Sequence, residues 1–340
     1  MIKNFLQRSN KRIRQVGLRS LMVCLCLALS GLSAWGQDGT YTFSGGTGVK
    51  DDPYLISTVE DLKNMAEAVN QGTASSTYNE KHYKLTKDLT LTPEDVDSWE
   101  PIGPIQYFFT GSFDGDGHTI SGFNVTHEIT SDRDIFGFFG HIENDAIIQN
   151  FNLVGDVEIK KTATDNYQYP VHSFGGICAE MDGASIINCT FNGKLNVEIS
   201  VGSTLPKGIA GICGKVDNKG GYITNCSNFS EIIISMENIS NTRDLPIAFG
   251  GIIGYSSTGL SILNCYNTGN IKVNMVKNNI MGVFLGGISG QVDNWADYVK
   301  IGYCYNVGNI TVSGSNNKLN AVVGGGFSVQ AIFQKVIVLI

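Results

Sequence analysis

The sequence predicts an all-β protein, a right-handed parallel β-helix in the form of a three-sided solenoid with one N-terminal capping helix. Three observations carry this. A block of residues recurs about every 38 positions through the second half of the chain. Each copy holds three short runs rich in Ile and Val, joined by Gly and Asn, too short for helices. No amphipathic helical pattern occurs after residue 72, which removes a two-domain α/β fold.

The first 36 residues read as an export signal. Six basic residues (Lys3, Arg8, Lys11, Arg12, Arg14, Arg19) precede an apolar run from Leu21 to Leu32, and Ala34-Trp35-Gly36 offers small residues for cleavage before Gln37. The run is too short for a permanent membrane anchor. Cys24 and Cys26 lie inside it without the small preceding residue that lipoprotein processing prefers. The expected location is therefore secreted or on the outer surface of a bacterium. Without this segment the chain carries 18 Lys and Arg against 31 Asp and Glu, a net charge of −13. So acidic a chain offers no basic stripe to nucleic acid or to anionic lipid.

Residues 37–112 are expected to cap the solenoid, whose exposed strand edges need cover. Ser57-Thr-Val-Glu60 fits a capping box, and Leu62, Met65, Ala66 and Val69 fall on one helical face, with Gly72 as a stop. The spacing predicts a helix at about 58–71, laid over the first rung.

Residues 113–326 form the repeats. Phe174-Gly-Gly-Ile-Cys, Ile209-Ala-Gly-Ile-Cys, Phe249-Gly-Gly-Ile-Ile and Leu285-Gly-Gly-Ile-Ser open successive copies. Cys189, Cys226, Cys265 and Cys304 follow at spacings of 37, 39 and 39 residues. Ile186, Ile223, Ile262 and Ile301 hold one position in turn, which predicts a continuous column in the core. The third run supplies Leu195 and Val197, then Ile232 and Ile234, Ile271 and Val273, Ile310 and Val312. Degenerate copies lie upstream at Ile148–Phe151 and Ile120–Val125. The period-two alternation places Ile177 and Ala179 inside and Cys178 and Glu180 outside. The outward set continues as Cys213 and Lys215, Ile253 and Tyr255, Ser289 and Gln291. Length variation at 198–207 and 236–246 predicts loops on one edge. Residues 327–340 do not continue the pattern, and fit either a last strand or a truncated or frameshifted end.

The repeat resembles that of the GLUG-motif proteins secreted by bacteria. Gly250-Gly-Ile-Ile-Gly254 and Asn264-Cys-Tyr-Asn-Thr-Gly269 are its clearest copies. Asp52-Pro-Tyr-Leu-Ile56, Trp99-Glu-Pro-Ile-Gly103 and Phe109–Ile120 extend it upstream, so that it covers about residues 45–326. The resemblance implies a β-helix of adhesin-like surface proteins, or an extension of a larger enzyme. Zinc peptidases that cleave immunoglobulin A are the best-known enzyme relatives, and their zinc motif does not occur here.

Chemistry-bearing constellations are sparse. The histidines His82, His118, His127, His141 and His172 form no H-E-x-x-H, and no C-x-x-C pair exists. Phe151 occupies the position of Cys189, Cys226, Cys265 and Cys304, so these four read as buried thiols acting as small hydrophobes. Cys178 and Cys213, on the set read as outward, stand within reach of a disulfide across successive rungs. Asn188, Asn225 and Asn264 read as corner residues that tolerate a left-handed backbone. Asp114 and Asp116 in an acidic Gly-rich loop are a weak calcium candidate, lacking the further oxygens of a full loop. Glu158, Glu180 and Glu198 are outward acids without a repeated cluster. Tyr255, Tyr266 and Tyr305 are the candidate binding residues, an aromatic ladder for sugar rings or a protein.

The expected function is a non-catalytic extracellular module for adhesion or for binding a glycan or a host or cell-surface protein, without a cofactor. The alternatives are a carbohydrate-active β-helix enzyme, which needs two carboxylates across one groove, and a structural stalk from a longer surface protein.

Overall fold

The structure, a computed structural model, describes residues 41–71, 78–131, 133–161, 172–200, 206–238, 247–276, 283–293 and 299–314, with the backbone of 321–324. The export signal, the segment 327–340 and most of the two variable loops lie outside these residues.

Why the chain coils is visible in one repeat. Pro206–Ala210 runs to a turn at Gly211, and Cys213–Val216 returns. Gly221–Thr224 follows, then Ser227–Asn228 and Glu231–Glu237. Each of these runs pairs in parallel with its counterpart in the repeats before and after, so the chain is a parallel β-solenoid with few helices. Four sheets result, termed I to IV in the order in which these runs meet them. Sheet III begins with Tyr54–Ile56 and His82–Leu85, inside the segment expected to form the cap.

The core columns fall where the sequence puts them. Ile186 pairs in register with Ile223, Ile223 with Ile262, and Ile262 with Ile301. Upstream the column continues through Ile148, Phe113, Tyr83 and Tyr54. Leu195, Ile232, Ile271 and Ile310 form a second column, and Val197, Ile234, Val273 and Val312 a third. Each fully buried member contributes about 1.5–3 kcal/mol of transfer free energy, while Ile301, Ile310 and Val312 in the last rung are only partly buried. The early rungs are filled instead by rings: Phe113, Phe138, Phe139 and Phe151 meet edge to face or tilted at 5.3–6.5 Å.

The part of each rung that begins at the Gly-Gly motif is built of two sheets, I and II. The segment read as a single run, Phe174 to Glu180, is two strands, His172–Gly175 and Cys178–Asp182, folded against each other at the Gly-Gly turn. Glycine permits this. A Cβ on Gly254 would stand 2.4 Å from the Ile209 nitrogen, and one on Gly290 2.5 Å from that of Phe249. Sheets I and II are therefore in backbone contact, and the outward set of sheet II is covered. Cys178, Cys213, Glu180, Lys215, Tyr255 and Gln291 are all buried, not exposed as the alternation suggests.

The helix α1 spans Val59–Asn70 and buries Leu62, Met65, Ala68 and Val69 in the main core. Its cap is one residue later than expected. Thr58 is the N-cap and Asp61 its partner, with Asp61 Oδ2 accepting from the backbone N–H groups of Ser57 and Thr58 and from the hydroxyls of Ser44 and Thr58. A second short helix, α2, covers Pro93–Val96.

Candidate functional site

The three tyrosines predicted from the sequence do not form one ladder. Tyr266 and Tyr305 are in register on neighbouring rungs of sheet IV, their rings parallel within 4° and 5.2 Å apart. Tyr305 is 53% exposed. Tyr255 is 4% exposed, under sheet I, where it packs with Ala248 and Phe284, carries the Lys207 ammonium 4.0 Å over its ring and donates its hydroxyl to Asp293. Burial first, and Asp293 second, push its phenol well above the usual range. It is not available to a ligand.

Phe229, which sequence reasoning missed, takes a place in the stack. Its ring meets Tyr266 edge to face at 5.6 Å and 74°. It occupies the repeat position of Thr268 and Val307, two residues beyond that of the tyrosines, so no alignment column marks it. Tyr303 and Val307 flank Tyr305 and are the most exposed large apolar side chains described. The result is a strip of three touching rings along one corner of the solenoid, Phe229, Tyr266 and Tyr305, with Tyr303 exposed two residues before Tyr305.

The corner exists because alternate residues there face inward. Cys226, Cys265 and Cys304 each donate a thiol hydrogen to a carbonyl of the preceding rung, at 3.4–3.6 Å. Asn228, Asn267 and Asn306 form an internal amide ladder, Nδ2 to Oδ1, at 2.7 and 2.6 Å. Burial raises the Cys226 thiol well above the ordinary range, and Cys265, through its contact with Cys226, is pushed up to about 12, which disfavours the thiolate in both. Cys178 and Cys213, in register and buried, are free thiols that donate to the carbonyls of Glu180 and Lys215.

The remaining candidates are occupied structurally. Asp114 accepts from the Asp116 N–H, Gln149 Nε2 and Asn150 Nδ2 at 2.9–3.0 Å, and Asp116 pairs with Lys84 Nζ at 3.1 Å. A calcium ion there would have to displace these donors. Glu158 pairs with Lys160 on the surface, and Glu198 is exposed and unclustered. Glu180 is buried among Arg133 at 2.9 Å, Ser173 Oγ at 2.9 Å and Lys215 at 3.8 Å. His141, Glu180, Lys215, Tyr255 and Gln291 stack in register as a polar column under sheet I. Burial lowers the His141 pKa, and neither ring nitrogen has a hydrogen-bond partner. Among the described residues no group of three or more His, Cys, Asp or Glu is placed to hold a metal ion.

Fold and strip together define a parallel β-solenoid repeat protein with one aromatic corner. No family model matches the chain. A protein of Evansella cellulosilytica provisionally named a Gly-rich membrane protein is 31% identical over 150 residues, 43% of this chain and 16% of its own length. The Halomucin of Haloquadratum walsbyi is 34% identical over 131 residues, 34% of this chain and 1% of its own. The chain thus spans only a small part of both. A crystal structure from Bacteroides ovatus, provisionally named an immunoglobulin A1 protease, superposes with a TM-score of 0.53 at 19% identity, over 84% of this chain and 86% of that one. This likeness is one of fold. No helix among the described residues is long and apolar enough to cross a membrane.

Proposed function

We propose that the chain is an extracellular repeat module of the GLUG type that binds a glycan or a surface protein and catalyses no reaction. The observation that carries this reading is the corner of Phe229, Tyr305 and Tyr303, exposed around the half-buried Tyr266. Large contiguous aromatic surface in water is retained where a partner covers it. The scaffold suits the task. A solenoid fixes each ring to its neighbours through backbone pairing, so the surface is preorganised and ordering it on binding requires little entropy.

Two further observations support the reading. Glu180, the one acid of the polar column, is buried, and a glycosidase would need two carboxylates facing one substrate. The names of the sequence relatives, a membrane protein and a halomucin, agree with display at a cell surface. The protease name of the structural neighbour belongs to that protein, and at 19% identity the likeness is one of fold.

The test applies the fluorescently labelled protein to an array of glycans and extracellular proteins, with reducing-end release and peptide cleavage assayed in parallel. Saturable binding without turnover supports the reading. Turnover of any arrayed substrate would contradict it.

A further inference from the structure

We infer that the strip takes a neutral polysaccharide and that Tyr303 is the residue that anchors it. The inference rests on the binding-module reading and adds the ligand class and the anchor.

The first observation is a strained residue. Asn150, Asn188, Asn225 and Asn264 turn the same corner in successive rungs, with φ of 53–56°. This left-handed region disfavours every L-residue with a Cβ, and Asn least. In the next rung the position holds Tyr303, at φ 55°. Its ring is 88% exposed, so packing does not offset the strain. Neither backbone preference nor core burial accounts for a tyrosine here. Strain that the fold tolerates without structural return marks a site kept for contact with something else.

The second observation is where that ring stands. Tyr305 lies two residues on, stacked on Tyr266, which in turn meets Phe229. One face of Tyr305 is taken by Tyr266, so the open surface of the strip is concentrated at Tyr305 and Tyr303.

The third observation is charge. The corner segments 226–230, 265–270 and 303–309 contain no Asp, Glu, Lys or Arg, in a chain of net charge −7. Of the flanking charges, Glu231 and Lys272 pair at 2.5 Å, and Lys300 lies exposed three residues before Tyr303. Within the corner segments a uronate polymer or sulfated glycan finds no cation, and a basic peptide finds no anion. What the corner offers besides rings is amide and hydroxyl, with Thr268 and Asn309 exposed beside the stack. Apolar faces with neutral hydrogen-bonding edges are the chemistry of an uncharged pyranose chain.

The test titrates the whole protein with a soluble neutral glucan, a neutral mannan, polygalacturonate and heparin, using calorimetry. The variants are Tyr303→Asn, Tyr305→Ala and, as an exposed aromatic control on sheet III, Tyr222→Ala. Tyr303→Asn places the residue of the other rungs at the same φ, so it folds. It is expected to weaken neutral-glycan binding at least about tenfold while its melting temperature stays level or rises. Tyr305→Ala should weaken binding similarly, and Tyr222→Ala should not. Binding of polygalacturonate or heparin alone, or neutral binding untouched by Tyr303→Asn, would overturn the inference. A protein ligand without any glycan ligand would also overturn it while sparing the binding-module reading. Absence of any ligand on the array would remove both.

Discussion

Asn228 donates from Nδ2 to Oδ1 of Asn267 across 2.7 Å, at a site where both side chains are shut off from water. Asn267 repeats the bond to Asn306, and each amide also donates to a carbonyl two residues ahead in its own rung. The corner that carries the aromatic strip is thus held from inside by a polar ladder with consecutive members.

Replacing the middle of that ladder tests it. Asn267→Leu keeps the number and branching of side-chain heavy atoms but strips the Asn306 Oδ1 and the Gly269 carbonyl of their donor. Unpaired buried polar groups cost about 1–3 kcal/mol each. The denaturant midpoint should fall accordingly, and the far-UV signature of β-structure should persist at low denaturant. A change under about 0.5 kcal/mol would show the ladder to be incidental.

The backbone contact between sheets I and II makes two glycines differ sharply. Gly254→Ala puts a Cβ 2.4 Å from the Ile209 nitrogen and 2.6 Å from the Gly214 carbonyl oxygen, neither of which can move without parting the sheets. Overpacking of this kind costs about 1–3 kcal/mol or more. Gly117→Ala meets no atom within 4 Å and bears only the strain of φ +84°, about 1–2 kcal/mol. Thermal melts should rank Gly254→Ala clearly below Gly117→Ala, and the reverse order would refute the close approach.

Much of this was legible in the sequence, and the misreadings share a cause. Ile186, Ile223, Ile262 and Ile301 announce their column because a buried position tolerates little else. Alternation also separates Ile177 from Cys178 correctly, but it says only that two residues face opposite ways. Whether the second face meets water depends on sheet I, and sheet I is held by glycines that leave no side-chain pattern. Alternation alone therefore places Glu180 and Tyr255 at the surface, where the structure buries them. The cap of α1 slipped by one because Ser57–Glu60 and Thr58–Asp61 satisfy the same motif, and only the fold brings Ser44 to Asp61. Phe229 escaped because it sits out of register with the tyrosines it touches.

Acid should weaken the protein through His141. Burial holds its imidazole below the ordinary value, Arg133 adds to the lowering, and Glu180, Glu143 and Asp182 oppose it. A folded pKa below the unfolded one means the unfolded chain takes up the proton first. The stability is present above about pH 6.5 and is lost as pH falls from there toward the folded value. His82, lowered by burial and by Lys50 and Lys81, acts in the same direction. Urea midpoints at pH 5 should lie below those at pH 7.5, with a smaller drop in His141→Gln. An identical drop in the variant would acquit His141.

Thiol reactivity should follow burial. All four thiols of Cys178, Cys226, Cys265 and Cys304 are raised in pKa, but the first three are enclosed whereas Cys304 is only half-buried. Iodoacetamide at pH 8 should label Cys304 first in the native protein, and the other three at the rate of unfolding. Rapid labelling of Cys226 in the native state would contradict the enclosed column.

The central claim is that one isoleucine per rung stacks into a continuous column on which the aromatic corner depends. X-ray diffraction from crystals of the protein reads this directly. The account predicts that the Cα atoms of Ile186, Ile223, Ile262 and Ile301 lie in file about 4.8 Å apart, with Tyr266 over Tyr305 on the outside. Electron density placing those isoleucines out of file, or pairing their strands antiparallel, would contradict it.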